Sequence, residues 1–357
     1  MTTRTMFADP FRSLRRAALA AVLSALALSG CVTIDTSQRH LMPIPAPLLA
    51  EMRGKGMTPA DPILIRIFKK ESELEVWKRD RSGQYALLKT WPMCRWSGQL
   101  GPKTREGDRQ APEGFYTVTP ELMNPRSQFH LSFNLGYPNA LERAQGSTGS
   151  ALMVHGACTS SGCFAVTDDG VSEIYALARE AFAGGQRSFQ VQALPFRMTP
   201  ENMARHRGNR HFAFWRNLKE GSDHFEATRQ PPRLAACGRR YVFNAADGAG
   251  PFTPGEACPS YQIDPSVRQA VADRQARDEA RFTELVKAGT PAAALAYVDG
   301  GMHVSFRSIL RASGPERLQA LTSGQAEVSR PEAALADPYD PATWDRHATE
   351  ALAAASR

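Results

Sequence analysis

The sequence predicts a β-dominated α+β fold with peripheral helices and a helical C-terminal extension. Three observations predict it. From Ile63 to Leu194 the apolar residues fall mostly in short runs that are β-rich or alternate with polar residues, which is the period of strands. An amphipathic helical stripe interrupts them after Thr167. Beyond Gly255 the chain turns to charged and then alanine-rich helical sequence, poor material for strands.

In order along the chain, Ile63-Leu64-Ile65-Arg66-Ile67-Phe68 is a β-rich run, and Glu73-Leu74-Glu75-Val76-Trp77 alternates just after it. The two read as a hairpin. Tyr85 to Trp91 is a third strand, and Ser97 to Gly114, full of Gly, Pro and charge, reads as a long exposed loop. Phe115 to Thr119, His130 to Asn134 and Leu152 to His155 follow as strands. Thr167-Asp168-Asp169 offers N-caps to a helix over Val171 to Phe182, where Ile174, Leu177, Ala178 and Phe182 share one stripe and Gly184-Gly185 stops it. Ser188 to Leu194 alternates as a strand, Asn202 to Leu218 reads as one basic helix, and Pro265 to Ala288 as a charged helix. A boundary is placed at Pro231-Pro232, and no internal repeat is present.

The N-terminus reads as an export signal. Arg4, Arg12, Arg15 and Arg16 stand against the single acid Asp9, and Ala17 to Leu28 is uninterrupted small-and-apolar sequence, too short to span a bilayer. The run ends in Leu28-Ser29-Gly30-Cys31, which matches the lipobox of bacterial lipoproteins, with Cys31 as the lipidated residue. The expected organisation is a signal peptide over 1–30, a polar, proline-rich tether over 31–62, a β-rich domain over 63–232, and a disulfide-bracketed loop with helical extension over 233–357. The membrane is then a partner through the N-terminal lipid, in a periplasm-facing envelope location. Val32 after Cys31 is not the aspartate that retains many lipoproteins in the inner membrane, which favours the outer one. A net charge of +7 in that setting suits anionic wall or lipid rather than nucleic acid. No phosphate-binding loop, dinucleotide fingerprint or zinc-finger spacing occurs, so no cofactor is expected.

The chain has six cysteines. With Cys31 lipidated, the odd remainder in an oxidising compartment leaves at least one thiol without an intramolecular partner. Cys237 and Cys258 bracket a turn-rich loop and are the best disulfide pair; Cys94 and Cys158 are possible second partners. That leaves Cys163. It lies in Val154-His155-Gly156-Ala157-Cys158-Thr159-Ser160-Ser161-Gly162-Cys163, a histidine at a strand end, a tight polar loop and a cysteine after glycine. A free thiol, with a pKa of about 8.5, holds little thiolate at neutral pH, and an adjacent imidazole supplies the base. Gly162 lets the backbone turn tightly, and the amides of Gly162 and Cys163 are candidate oxyanion donors, worth about 3 kcal/mol each in comparable sites. Two other chemistries stay open at this level: a metal held by His155, Cys158 and Cys163, and a Cys158–Cys163 disulfide or redox pair.

These residues resemble the L,D-transpeptidase catalytic domain (YkuD-like) family, in which S-x-G-C carries the nucleophile. Trp96-Ser97-Gly98, Ala111-Pro112-Glu113-Gly114, Asn134 to Pro138, Gly162 to Ala165 and Pro195 to Met198 are similar, in order, to its YafK-like branch. The resemblance implies a β-sandwich domain with Cys163 as nucleophile and His155 as general base. It implies a third group, the backbone carbonyl of Ser160, Ser161 or Gly162, and meso-diaminopimelate-containing peptidoglycan stem peptides as substrate. An acyl-enzyme would pass to an amine or to water, and the YafK-like branch is similar to enzymes that detach a wall-bound lipoprotein. The family's arginine soon after the cysteine is missing from Cys163-Phe164-Ala165, and the spacing from His155 to Cys163 is short. The alternative reading is a non-catalytic peptidoglycan-binding lipoprotein. Arg197, Arg205, Arg207 and Arg210 with His206 and His211 are candidates for gathering stem-peptide carboxylates; Trp77, Trp91 and Trp96 are candidates for a substrate wall or for core; Asn134 and Tyr137 for the cleft or for a turn.

Overall fold

The structure is a computed structural model that describes residues 36–246, 250–293, 299–322 and 326–335. The signal sequence and Cys31 lie outside the described residues, as does the tail from 336 onward. The stretch expected to be a tether instead carries helix α1 (Ala46–Gly54), and Ile44, Leu48, Met52 and Met57 are buried in the main core. The reason is apolar spacing: Leu48 and Met52 stand one helical turn apart on a single face.

Two five-stranded sheets build the domain. The first takes β1 (Ile63–Phe68), β2 (Glu73–Arg79), β3 (Tyr85–Pro92), β5 (Gly114–Val118) and β10 (Phe189–Leu194) in the order β3-β2-β1-β10-β5. The expected hairpin forms: β1 and β2 pair antiparallel with Ile65 opposite Val76, while β1 and β10 run parallel. The second sheet takes β4 (Arg95–Trp96), β6 (Met123–Asn124), β7 (Ser132–Asn134), β8 (Met153–His155) and β9 (Phe164–Ala165) in the order β4-β9-β8-β7-β6. One hydrophobic cluster takes Ile65, Val76 and Val191 from the first sheet and Phe133, Val154 and Phe164 from the second, so the two sheets share a core, as the α+β expectation requires.

Helix α2 (Ala140–Ala144) is short; α3 (Asp168–Ala183) is the expected amphipathic helix, capped by Thr167, whose hydroxyl accepts from the Gly170 amide at 3.1 Å. The single helix expected over Asn202 to Leu218 is two, α4 (Pro200–Arg205) and α5 (Phe212–Thr228). Gly208 lies in the break, and the Asn209 side chain takes the His211 amide at 2.8 Å, a local bond that competes with helix. The hairpin β11 (Leu234–Cys237) and β12 (Arg240–Phe243) follows Pro231-Pro232, yet Ala236, Tyr241 and Phe243 join the main core. The expected boundary at Pro231-Pro232 therefore separates no cores. Helix α6 (Pro265–Lys287) starts on the Asp264 cap; α7 (Val304–Gln319) and α8 (Pro331–Leu335) complete the described extension. Among the described residues, no helix is long and apolar enough to cross a membrane.

The segment from Ser97 to Gly114 is not an exposed loop: Ser97, Gly98, Leu100, Gly101, Lys103, Ala111 and Glu113 are buried, and only its tip at 104–107 is fully out. The cause is an ion pair with no solvent exposure at either side chain. Lys69 Nζ lies 2.9 Å from Glu113 Oε1 and also donates to the carbonyls of Gly101 and Ala111. Glu113 in turn accepts from the Gly101 amide and the Trp215 indole, both at short range. A buried pair survives only when its remaining donors and acceptors are met in this way.

Candidate active site

β8 and β9 run parallel, with Val154 opposite Phe164 and His155 opposite Ala165. Alternation sends Val154 and Phe164 into the main core and leaves His155 and Ala165 on the other face. Cys163 immediately precedes β9.

His155 is buried, stacked at 4.8 Å on Phe129, and its Nδ1 lies 2.5 Å from the Gly156 carbonyl. A carbonyl only accepts, so Nδ1 carries the proton and Nε2 is the basic nitrogen. The third partner is thus the carbonyl of Gly156 rather than one from Ser160, Ser161 or Gly162. Burial pulls the imidazole down to about 4, against the Gly156 bond and the Asp168 carboxylate, which raise it. His155 is therefore neutral at physiological pH. Asp168, at the first turn of α3, holds the same loop: its Oδ1 accepts from the Ala157 amide at 2.9 Å, and its Oδ2 lies 3.3 Å from His130.

Cys163 is half-buried and free; Cys94 bridges Cys158, and Cys237 bridges Cys258. Cys237–Cys258 is the pair expected from the sequence, and Cys94–Cys158 is the second pair it left open. That second bridge removes Cys158 as a partner of Cys163, whether for a disulfide or for a shared metal. Among the described residues no group of three His, Cys, Asp or Glu is placed to hold a metal ion. Burial pushes the Cys163 thiol up, while the Met153 backbone and Lys103 pull it back. Its hydrogen-bond partner is the Ala151 carbonyl at 3.9 Å.

Ser160 is the hub of the turn. Its hydroxyl donates to the Cys163 carbonyl at 2.8 Å and accepts from the Gly162 and Cys163 amides at 3.3 and 3.1 Å. The two amides expected to face an oxyanion are thus turned onto Ser160 Oγ in this geometry. Ser97 Oγ lies 2.9 Å from the same oxygen. Gly162 has φ of +128°, so glycine is required there. Ser161 is exposed and its hydroxyl accepts from Arg109 at 2.9 Å.

The C-terminal extension clasps this turn. Residues 300–303 run antiparallel along β4: Trp96 and Gly301 exchange backbone bonds at 3.1 Å, and the His303 amide reaches the Met93 carbonyl. Ser329 Oγ accepts from the Ser160 amide at 2.9 Å and donates to its carbonyl at 3.3 Å. Asp299 accepts from the Gly98 amide and from Arg109. Met302, Phe306, Leu310 and Val328 pack with Ala165 on the face of the second sheet away from the main core, around the Cys94–Cys158 bridge. Sequence reasoning missed Arg109, Asp299 and Ser329, which no local pattern marks; Asp168 was visible only as a cap candidate.

Other candidates have separate duties. Arg197 pairs with Glu73 and Glu75, His206 stacks at 4.7 Å on Phe196, and Arg207 donates to the Ala204 carbonyl. His211 packs on Trp215. Trp91 and Trp96 are core residues, and Trp77 packs against Phe225. Asn134 takes the Gly136 amide, the turn role, and Tyr137 is buried with its hydroxyl on the Lys103 carbonyl.

The family model of the L,D-transpeptidase catalytic domain (YkuD) matches residues 62–186. YafK of Escherichia coli (strain K12), provisionally named an L,D-transpeptidase, is 45% identical over 181 residues, which cover 51% of this chain and 73% of YafK. Among solved structures, the helical cell shape determining protein Pgp2 from Campylobacter jejuni matches at 20% identity and a TM-score of 0.31, over 45% of this chain and 57% of that one. Bd1075 of Bdellovibrio bacteriovorus matches at 22% identity and 0.28, over 39% and 50%; this chain spans less than two thirds of either. With the match to the domain, the extent of identity to YafK and a free cysteine in the expected turn, this chain belongs to the L,D-transpeptidase (YkuD) family.

Proposed function

We propose that the protein is a cysteine-dependent peptidoglycan-modifying enzyme acting on meso-diaminopimelate-containing stem peptides, with Cys163 as nucleophile and His155 as base. The observation that carries this is the neutral imidazole, fixed through Nδ1 on the Gly156 carbonyl at the end of β8, beside the strand that the free thiol of Cys163 immediately precedes. His155 Nε2 takes the thiol proton as sulfur attacks the peptide carbonyl. The C–S bond forms, the C–N bond breaks, and the same nitrogen returns the proton to the leaving amine. Water or an incoming amine then releases the acyl group. The burial that raises the thiol and lowers the imidazole favours a resting pair of neutral groups over an ion pair. Oxyanion donors must come from a turn that releases an amide from Ser160 Oγ as substrate arrives, or from groups the substrate brings into line.

In this reading Cys31 carries lipid, and the enzyme faces the periplasm from a membrane surface, the outer membrane favoured. The bond cut joins a wall-bound lipoprotein to its stem peptide. The test is incubation of wild type and Cys163→Ala with sacculi carrying bound lipoprotein, then mass spectrometry of the products. Cysteine-dependent release of lipoprotein is the expected result; new crosslinks instead make it a transpeptidase. A folded protein with no cysteine-dependent product of either kind sinks the enzyme reading and leaves the non-catalytic binding lipoprotein.

A further inference from the structure

Three guanidinium groups gather round one carboxylate beside the catalytic turn. Asp299, whose side chain is 3% exposed, meets Arg109 Nη2 and Arg330 Nη1 through the same oxygen, each at 3.0 Å. Those two guanidiniums therefore stand side by side. The third, Arg95, is buried beneath them and donates to the backbone carbonyls of Asp299 at 2.6 Å and Ser329 at 2.7 Å. Among the described residues, Asp299 is the one carboxylate in an ion pair with any of the three. Two positive charges are left over in a small, half-buried volume, where repulsion is stronger than in bulk water. Such an excess attracts an anion.

The position is specific. Arg109 has φ of +55°, unusual for a residue with a side chain. Its guanidinium lies on the turn that ends in the nucleophile, donating to Ser161 Oγ at 2.9 Å and the Ser160 carbonyl at 3.1 Å. Arg109 and Arg330 keep 29% and 55% of their side chains in solvent, so both can be reached. Asp299 and Arg330 lie beyond residues 62–186, outside the match to the catalytic domain.

We propose that Arg109 and Arg330, braced on Asp299, form a carboxylate-binding subsite beside Cys163 that seats an acidic peptide substrate. Arg109 already commits Nε, Nη1 and Nη2 to Asp299, Ser161 and Ser160 and keeps one Nη1 N–H, so a carboxylate would meet the planar fork of the more exposed Arg330 beside the Arg109 charge. Peptides rich in free carboxylates are the class it would select. This subsite rests on the reading of Cys163 as a peptide-cleaving nucleophile.

The experiment measures binding and turnover separately. The probes are a synthetic tetrapeptide, L-Ala-γ-D-Glu-meso-diaminopimelate-D-Ala, and two relatives in which either the terminal or the free diaminopimelate carboxylate is an amide. Titration calorimetry with Cys163→Ala reads affinity; wild type reads turnover. One of the amides is expected to bind about tenfold more weakly than the parent. Adding Arg109→Gln or Arg330→Gln to Cys163→Ala should erase most of that preference while the circular dichroism is unchanged. Arg330 is exposed, so its variant stays informative if Arg109→Gln disturbs the turn. Equal affinity for all three peptides, no binding of the parent, or a preference that survives both arginine variants overturns the subsite. Cysteine-dependent turnover without arginine-dependent discrimination leaves the reaction standing and the subsite gone. Discrimination in binding without turnover keeps the subsite and removes the reaction.

Discussion

Gly156 follows His155, and a Cβ there would lie 2.8 Å from Asp168 Oδ1, 2.9 Å from His130 Cβ and 3.0 Å from the Phe129 carbonyl. Asp168 Oδ1 is held by the Ala157 amide and the other two atoms are a Cβ and a backbone oxygen, so Gly156→Ala should move the carbonyl that orients His155. The expected outcome is a loss of about 1–3 kcal/mol in stability and roughly a hundredfold drop in kcat, checked by denaturant melts and single-turnover assays. Cys163 gives a second prediction at this scale. Because burial raises the thiol, iodoacetamide should alkylate the native protein with a pH midpoint above that of the denatured chain. A midpoint well below it would show a preformed thiolate and contradict the neutral resting pair. The residues of the proposed dyad were legible in the sequence because that chemistry would be local: a histidine, a polar turn and a glycine-flanked cysteine fall in one short stretch. The Gly156 carbonyl was not, since which carbonyl faces Nδ1 depends on how Asp168 pins the Ala157 amide.

The C-terminal extension adds to the second sheet through Gly300, with φ of +82° and a Cβ position 1.8 Å from the Trp96 carbonyl. No side chain fits there. Gly300→Ala should lift residues 299–303 from β4 and withdraw Asp299 from Arg109. The expected result is faster limited proteolysis of the extension and a fall in kcat of tenfold or more, with the main core still folded by near-UV circular dichroism. If the proteolysis pattern and activity both match wild type, the clasp is not needed to hold the turn. Strands such as β1 and β2 were readable because a period of two is written into neighbouring residues. The clasp was not, because Ser329 meets Ser160 across 169 positions of sequence, and neither residue has a local pattern that names the other. The segment from Ser97 to Gly114 misled for a related reason. Its composition says loop, and only the Lys69–Glu113 pair, brought together by the fold, turns it inward.

Across the whole molecule, buried titratable groups pull stability in opposite directions. His155 and His206 are both held down to about 4 by burial, so the unfolded chain binds more protons between about pH 4 and 6.5, and both oppose folding as pH falls through that window. Glu142 is pushed up to about 7 by burial, against the Tyr116 hydroxyl and the Asn139 amide. Its folded value lies above the unfolded one, so it opposes folding as pH rises from about 4.5 to 7. Glu142→Gln keeps the shape and removes the ionisation. Relative to wild type it should gain about 3 kcal/mol more at pH 7 than at pH 4.5, read from urea melts at both values; a pH-independent difference would refute the assignment. The three cysteines near the turn carry one more consequence, for how the enzyme matures. In a reduced, unfolded chain Cys158 is five residues from Cys163 but 64 from Cys94, and the shorter loop is favoured by about 2 kcal/mol in closure entropy. The native bridge is thus the one that chance encounter disfavours, and the competing bridge would consume the proposed nucleophile. Air oxidation from the denatured state should therefore yield a fraction of intact but inert molecules that mild thiol exchange restores. A correctly paired molecule depends on tertiary structure outrunning its own nearest-neighbour chemistry.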